Sequence, residues 1–372
     1  MSHFIKTEIK VGQNVAGVAQ HVPVFTIKGK AAGPKVYIQA NLHGAEIQGN
    51  AVIYQLLQRL KSVEIRGQIT LVPLANPIGL NQKSGEYTLG RFDPVTGANW
   101  NRMYFHDLSF LDTFVDTYID ASDERIYTEF AIKINQLLSD AFHQPLGLKT
   151  GQHIGYALQQ MAQDADYVID LHTGPMSAKH LYVPEYAKDS ALYFNVPHVL
   201  IIPNHFDGAL DEACFVPWWS LSEAFAKKGR QLAVKHEAFT LELGSQESIN
   251  MNAALQDVES IFSYLSHKKM FVEADFSPAK MARFGCYLEN YKTVFAPRGG
   301  LVEYHARYGE VLPAGSPLVS MLNVERFGQD DALETLTLDK TVLPILHYSS
   351  GSVYQGAELY KVFYDYFLLG ES

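Results

Sequence analysis

The residues best suited to chemistry appear first as a short string, Asn41-Leu42-His43-Gly44-Ala45-Glu46. An imidazole and a carboxylate so close together offer one nitrogen and one oxygen ligand, a pair that suits Zn²⁺, and a catalytic zinc site takes a third protein ligand from elsewhere. Gly44 places no side chain between the two, so the turn can stay tight. His172 is the natural third ligand. It closes the apolar run Tyr167-Val168-Ile169-Asp170-Leu171 and is followed by Thr173-Gly174, a polar ending that favours a site at a sheet's rim. Asp170 shares a strand face with His172 and either orients that ligand from behind or caps a turn. Glu242 interrupts another apolar run, Phe239-Thr240-Leu241-Glu242-Leu243-Gly244. Burying an unpaired carboxylate costs several kcal/mol. Glu242 is therefore either a base that moves a proton from an activated water to a leaving nitrogen, or half of a structural ion pair. Glu237 and Glu247 sit in polar surroundings and are poorer candidates. Arg91, Asn101 and Arg102 form a third group, in which a planar guanidinium suits a carboxylate or an oxyanion; an Arg in a loop can equally be solvated. The bland alternatives are a surface turn at 43–46 and a buried structural histidine at 172.

These residues need a scaffold. Val36 to Ala40 reads as a buried strand, and the helical spacing of Val52, Ile53, Leu56, Leu57 and Leu60 predicts a helix over 47–60. The His–Glu pair thus falls in a strand-to-helix turn, where ligands bind in open α/β sheets. Further strands are expected at 68–74, 167–172 and 239–244, and helices at 123–142, 156–163, 223–228 and 249–265, with short strands and a helix over 180–202. Residues 1–34 read as short strands turning at Gly12, Gly29 and Gly33-Pro34. Residues 79–102 form a long loop, which in a compact domain is commonly functional. The alternation predicts an α/β sheet layered between helices. From about Tyr287 onward only short strands and Gly/Pro turns remain, the pattern of a small all-β domain. The expected division is a catalytic domain over 1–277 and a C-terminal β domain over 278–372.

Composition narrows the class. The 372 residues are 47% hydrophobic and 19% charged, values of a soluble globular protein. A net charge of −10 argues against a nucleic-acid footprint, which would be basic. No apolar run approaches the roughly 18 residues of a membrane span. Residues 1–12 lack the basic and apolar regions of a secretory signal, and Cys214 and Cys286 read as free thiols in a reducing cytoplasm. There is no Gly-x-Ser-x-Gly elbow, no P-loop and no Gly-x-Gly-x-x-Gly, and Cys214 lies among Phe215, Trp218 and Trp219 rather than in a reactive setting.

Taken in order, the motifs Asn-Leu-His43-Gly-Ala-Glu46, Asn76-Pro77, Arg91-Phe92, Asn101-Arg102, Asp170-Leu171-His172 and Thr240-Leu241-Glu242-Leu243-Gly244 resemble the M14-type zinc hydrolases, most closely their succinylglutamate desuccinylase/aspartoacylase branch. The resemblance spans roughly residues 36–265. It implies a three-layer, zinc-carboxypeptidase-like mixed sheet between helices. It implies His43, Glu46 and His172 as ligands of one zinc ion per chain, Glu242 as general base and acid, Arg91 polarising the scissile carbonyl, and Asn101 with Arg102 binding a substrate carboxylate. Ala296-Pro297-Arg298-Gly299-Gly300-Leu301-Val302, with Gly309-Glu310-Val311-Leu312 and Gly315, resembles the barrel-sandwich-like β domain of that branch. The insert between Arg91 and Asn101 is longer than in aspartoacylase itself, which leaves the acyl-group specificity open. Leu338-Asp339-Lys340-Thr341 lacks the spacing of a lipoyl lysine, so the β domain is expected to narrow the site's mouth instead.

The expected activity is hydrolysis of the amide bond in a small N-acyl amino acid, by a cytoplasmic enzyme with no nucleic-acid or membrane partner. The alternatives are a metallocarboxypeptidase acting on peptide C-termini and a non-catalytic metal-binding or scaffold protein. The 14 histidines leave room for a second metal, and a homo-oligomer is compatible with the sequence.

Overall fold

Residues 4–370 are described in the computed structural model. The chain opens with two long strands, β1 (Phe4–Gln13) and β2 (Ala19–Lys28), paired antiparallel. Their turn is set by Asn14, whose Oδ1 accepts hydrogen bonds from Ala16 N and Val18 N at 3.0 Å each, and by Gly17 with φ +77°. The short strands expected over 1–34 are therefore three long ones. Gly12 marks a register shift inside β1, and Gly33-Pro34 lies within another inside β3 (Ala31–Ala40). Gly29 does turn the chain, and a Cβ there would stand 2.1 Å from Ile65 O.

The next elements are α1 (Gln48–Arg59), β4 (Arg66–Val72), the single turn α2 (Pro77–Leu80), and the two-residue strands β5 (Lys83–Ser84) and β6 (Tyr87–Thr88). They are followed by α3 (Leu111–Tyr118), α4 (Asp123–Phe142), α5 (Thr150–Ala162) and β7 (Tyr167–Gly174). Then come β8 (Met176–Ser177), β9 (His180–Pro184), β10 (His198–Ile202), α6 (Leu210–Lys227), β11 (Glu237–Ser245) and α7 (Met251–His267). The strands build a ten-stranded mixed sheet in the order β1-β2-β4-β3-β7-β11-β9-β10, extended at its far edge by β12 (Phe284–Tyr287) and β20 (Phe367–Leu368). β4, β3, β7 and β11 are parallel, and β9 runs antiparallel to β11.

Side-chain alternation divides the core into two layers. Val36, Ile38, Ala40, Ile169, Leu171, Phe239 and Leu241 pack under α1 and α7, while Tyr37, Val168, Ala238 and Leu200 face α5 and α6. Both faces of the central strands are covered, which is why those strands read as continuous apolar runs. Ile169 is fully buried at the middle of β7. Ile169→Ala is expected to lower the unfolding free energy by about 2–5 kcal/mol, read as a lower denaturant midpoint with an unchanged slope.

α5 begins six residues before the helix expected at 156–163, and two other helices, α3 and α6, depart further from the sequence reading. α3 packs Phe114 and Val115 against Phe130 and Trp218 and was hidden by its shortness. α6 begins 13 residues before the helix expected at 223–228. It carries Pro217 in its interior, and Ala213 to Trp218 are all buried, so the helix shows neither a favourable propensity nor an amphipathic stripe.

The C-terminal strands β13 (Tyr291–Phe295), β14 (Gly300–Tyr304), β15 (Pro317–Leu322), β16 (Leu333–Thr337), β17 (Leu343–His347), β18 (Ser352–Val353) and β19 (Glu358–Phe363) form two further sheets, β13-β19-β17-β8 and β16-β15-β14-β18. They enclose a small core of Leu318, Val319, Met321, Val342, Leu359 and Val362. Because β8 joins this region and β12 and β20 join the large sheet, the strands of the two regions interleave across position 277/278. Cys214 and Cys286 are buried free thiols. No helix among the described residues is long and apolar enough to cross a membrane.

Candidate active site and metal centre

The turn after β3 is built from backbone contacts. Asn41 sits in the left-handed region at φ +62°, a conformation that Asn tolerates better than most residues. Its Nδ2 donates to His43 O at 3.0 Å and to Gly44 O at 3.2 Å. Asn76, which caps α2, donates from Nδ2 to Leu42 O at 2.9 Å. Gly44 is required for a reason that spacing does not reveal: a Cβ there would stand 2.0 Å from Gly79 O, and one on Gly90 would stand 2.1 Å from the same atom. Three backbone segments thus meet with no room for side chains, and Gly44 N donates to Gly90 O at 2.8 Å.

Inside this turn His43, Glu46 and His172 converge. Glu46 Oε1 lies 2.9 Å from His43 Nδ1, and Oε2 lies 2.8 Å from His172 Nδ1. Thr173 N also donates to Oε2, at 3.1 Å. All three side chains are 2–3% exposed, and their ligand atoms lie within 4.8 Å of one another. Ligands held about 2.0–2.2 Å from a tetrahedral Zn²⁺ stand a little over 3 Å apart, and two imidazoles with a carboxylate are a donor set that Zn²⁺ takes. The residues therefore fit a divalent cation.

Electrostatics support a charged cluster. Burial pushes the Glu46 carboxyl up, but His43 and His172 together hold it well below the usual carboxylate range. Burial lowers His172, and Asp170 with Glu46 more than offsets this, so its net shift is well upward. Burial dominates at His43, whose net shift is downward. Asp170 is fully buried; its Oδ2 is 2.9 Å from His172 Nε2, out of line for a hydrogen bond, and its Oδ1 accepts from Gln39 Nε2 at 2.9 Å.

The remaining sequence candidates line one cavity of about 130 Å³ with this cluster. Glu242 pairs in register with His172 across β11 and β7. Its buried Oε2 has no hydrogen-bond partner, and among the described residues it makes no ion pair with a Lys or Arg. Burial, then the charge of Glu46, raises Glu242 to about 7. Arg91 is half-exposed and donates from Nη1 to Glu46 Oε1 at 3.1 Å. Asn101 is buried and accepts from Leu210 N at 3.3 Å, which ties it to the start of α6. Arg102 is exposed, donates to Asn101 O at 2.7 Å, and packs its Cδ where a Cβ on Gly208 would be.

The catalytic-domain model of the succinylglutamate desuccinylase/aspartoacylase family matches residues 32–138 and 130–268. The chain belongs to that family. A family protein from Shewanella amazonensis superposes with a TM-score of 0.96 at 48% identity, over 98% of this chain and 100% of its own. A second, from Shewanella frigidimarina, superposes with a TM-score of 0.98 at 47% identity over the full length of both. The N-alpha-acetyl-L-2,4-diaminobutyric acid deacetylase of Halomonas elongata is 24% identical over 184 residues, 45% of this chain, and the match spans about half of that relative, 51% of its length.

The family match runs from β3 to the end of α7 and so contains every candidate residue. Sequence reasoning missed other residues that line the cavity, among them Asn99, Tyr182, Asp211, Glu212 and Thr240. Asn99 Oδ1 lies 2.8 Å from His43 Nε2 and also accepts from Asn101 N at 2.9 Å, bridging His43 and the loop. Asp211, raised to about 7 by burial and then Glu212, accepts from Thr240 Oγ1 at 3.0 Å. The adjacency of Asn99 to Trp100-Asn101 was the available signal for the first; Asp211 was concealed with the rest of α6.

Proposed function

We propose that this chain is a zinc-dependent hydrolase that cleaves the amide bond of a small N-acyl amino acid. The observation that carries the reading is a half-buried carboxylate, Glu242, whose buried Oε2 has no partner and which shares one small cavity with a convergent His-Glu-His set. His43, Glu46 and His172 would hold the ion. When bound, Zn²⁺ supplies Lewis acidity to the carbonyl and lowers the pKa of water. Glu242 takes the proton of the attacking water and returns it to the leaving nitrogen. Arg91, on leaving Glu46, offers a guanidinium to the developing oxyanion. Asn101 and Arg102, on the loop facing the start of α6, hold the substrate's carboxylate, and Asp170 orients His172 from behind. A cavity of about 130 Å³ falls below the roughly 300–1,000 Å³ of pockets for larger ligands, which favours small substrates. The deacetylase activity named for the Halomonas relative supports short acyl groups.

The test is a panel of N-acyl amino acids and short peptides offered to zinc-loaded protein. One zinc per chain, with turnover of an N-acyl amino acid, is the expected result. Trimming of peptide C-termini alone would make the chain a carboxypeptidase. Metal binding with no turnover of either class would make it a binding protein.

A further inference from the structure

We propose that Glu247 is a positioning residue that fixes Arg91 over the ligand turn. Its rate arm rests on the hydrolase reading above. Glu247 lies five positions after Glu242, just beyond β11, in the left-handed region at φ +59°, where a residue other than Gly, Asn or Asp is uncommon. In that conformation it reaches two segments at once. Its backbone N–H donates to Ala45 O at 2.9 Å, between His43 and Glu46. Its carboxylate grips Thr88 twice: Oε1 accepts from Thr88 N at 2.6 Å and Oε2 from Thr88 Oγ1 at 3.2 Å. Lys83 adds its ammonium to the same hydroxyl.

Thr88 ends β6, three residues before Arg91. From there the chain is fixed by Leu89 N donating to Gln82 O at 2.8 Å and by Gly90 O accepting from Gly44 N at 2.8 Å, and Arg91 then reaches Glu46. The β5–β6 pair has little else to hold it. It is a two-residue ladder, and Tyr87 and Leu89 are 69% and 61% exposed. A hairpin with no apolar face against the core is marginal alone. One residue therefore couples the strand of Glu242, the turn of His43 and Glu46 through its backbone N–H, and the loop of Arg91 through its carboxylate.

Glu247→Gly separates the clamp from the backbone, since Gly adopts positive φ freely and keeps the N–H to Ala45. We expect it to fold normally, to bind metal as the parent does, and to lose about ten- to a hundredfold in kcat with little change in KM, the scale of a misplaced catalytic group. Glu247→Gln, which keeps one acceptor, should fall between. Amide exchange over residues 82–92 should quicken in Glu247→Gly without any substrate. Arg91→Ala/Glu247→Gly should be no slower than Arg91→Ala. The proposal is overturned if Glu247→Gly matches the parent in kcat and exchange, or if it slows Arg91→Ala by the same factor as it slows the parent. Parental turnover in Arg91→Ala would instead sink the role given to Arg91, and the exchange measurement, which needs no turnover, then decides the clamp on its own.

Discussion

Glu242→Gln is expected to lower kcat by about 10²–10⁴-fold, or roughly 3–5.5 kcal/mol of barrier, with KM, metal content and thermal midpoint close to the parent's. The substitution is nearly isosteric and keeps an oxygen and a donor in the cavity, but the amide cannot accept and return a proton. Glu242 is suited to both steps. Burial first, and then Glu46, raise it to about 7, so neither the charged nor the neutral form is strongly disfavoured near neutral pH. A cation held by the neighbouring triad would pull it down from there, because opposite charge favours the ionised form, and would leave it a carboxylate when water enters. The unpartnered Oε2 means that no ion pair has to break before it acts. If Glu242 were structural, the Gln variant would change stability rather than rate. Single-turnover rates on a turned-over N-acyl amino acid make the distinction, and a variant retaining more than a tenth of parental kcat would remove Glu242 from the proton path.

The parts of this site that were legible in the sequence share a cause. His43, Glu46, His172 and Glu242 each stand in or beside a buried strand, and a polar group against an apolar run is conspicuous because its burial is costly. The central strands were legible for the same reason, since covering on both faces makes them continuously apolar. The rest depends on contacts between distant segments. Gly44 looks like a local turn residue, yet its need arises from Gly79, 35 positions away, whose carbonyl would meet its Cβ at 2.0 Å. Asn99 meets His43, and Asp211 meets Thr240, only because the fold brings those groups to them. α6 was truncated in the sequence reading because a helix buried all round has no stripe and its Pro217 argues against any helix. Glu247 stands in polar surroundings in the sequence, and Thr88, whose backbone and hydroxyl it holds, lies 159 positions away.

His172→Ala is expected to abolish turnover through the metal rather than through the proton path. Structural zinc in small peptides is worth about 10–16 kcal/mol, so a single ligand carries some 3–4 kcal/mol, and its loss should weaken binding by about two to three orders of magnitude. The substitution also leaves Glu46 Oε2 and Asp170 facing a void without the imidazole that lies 2.8 and 2.9 Å from them, so the metal-free variant should be less stable by about 3–5 kcal/mol, the cost of stranding a buried charge. The sign of the pH dependence in the metal-free parent follows from the shifts. His172 is raised above its ordinary 6.5, so its stabilising contribution is complete below that pH and fades as pH climbs through the raised value. Glu46 is lowered below its ordinary 4.5, so its contribution is complete above that pH and fades as pH falls through the lowered value. The metal-free protein should therefore be most stable between about pH 4.5 and 6.5 as far as this pair decides it. Metal binding requires His172 neutral at the ligating nitrogen, so the gain in thermal midpoint on adding zinc should be small at pH 5.5 and grow toward pH 8. In His172→Ala that growth should largely vanish. A zinc-induced shift of the same size and pH course in the variant would show that the ion is held elsewhere on the chain.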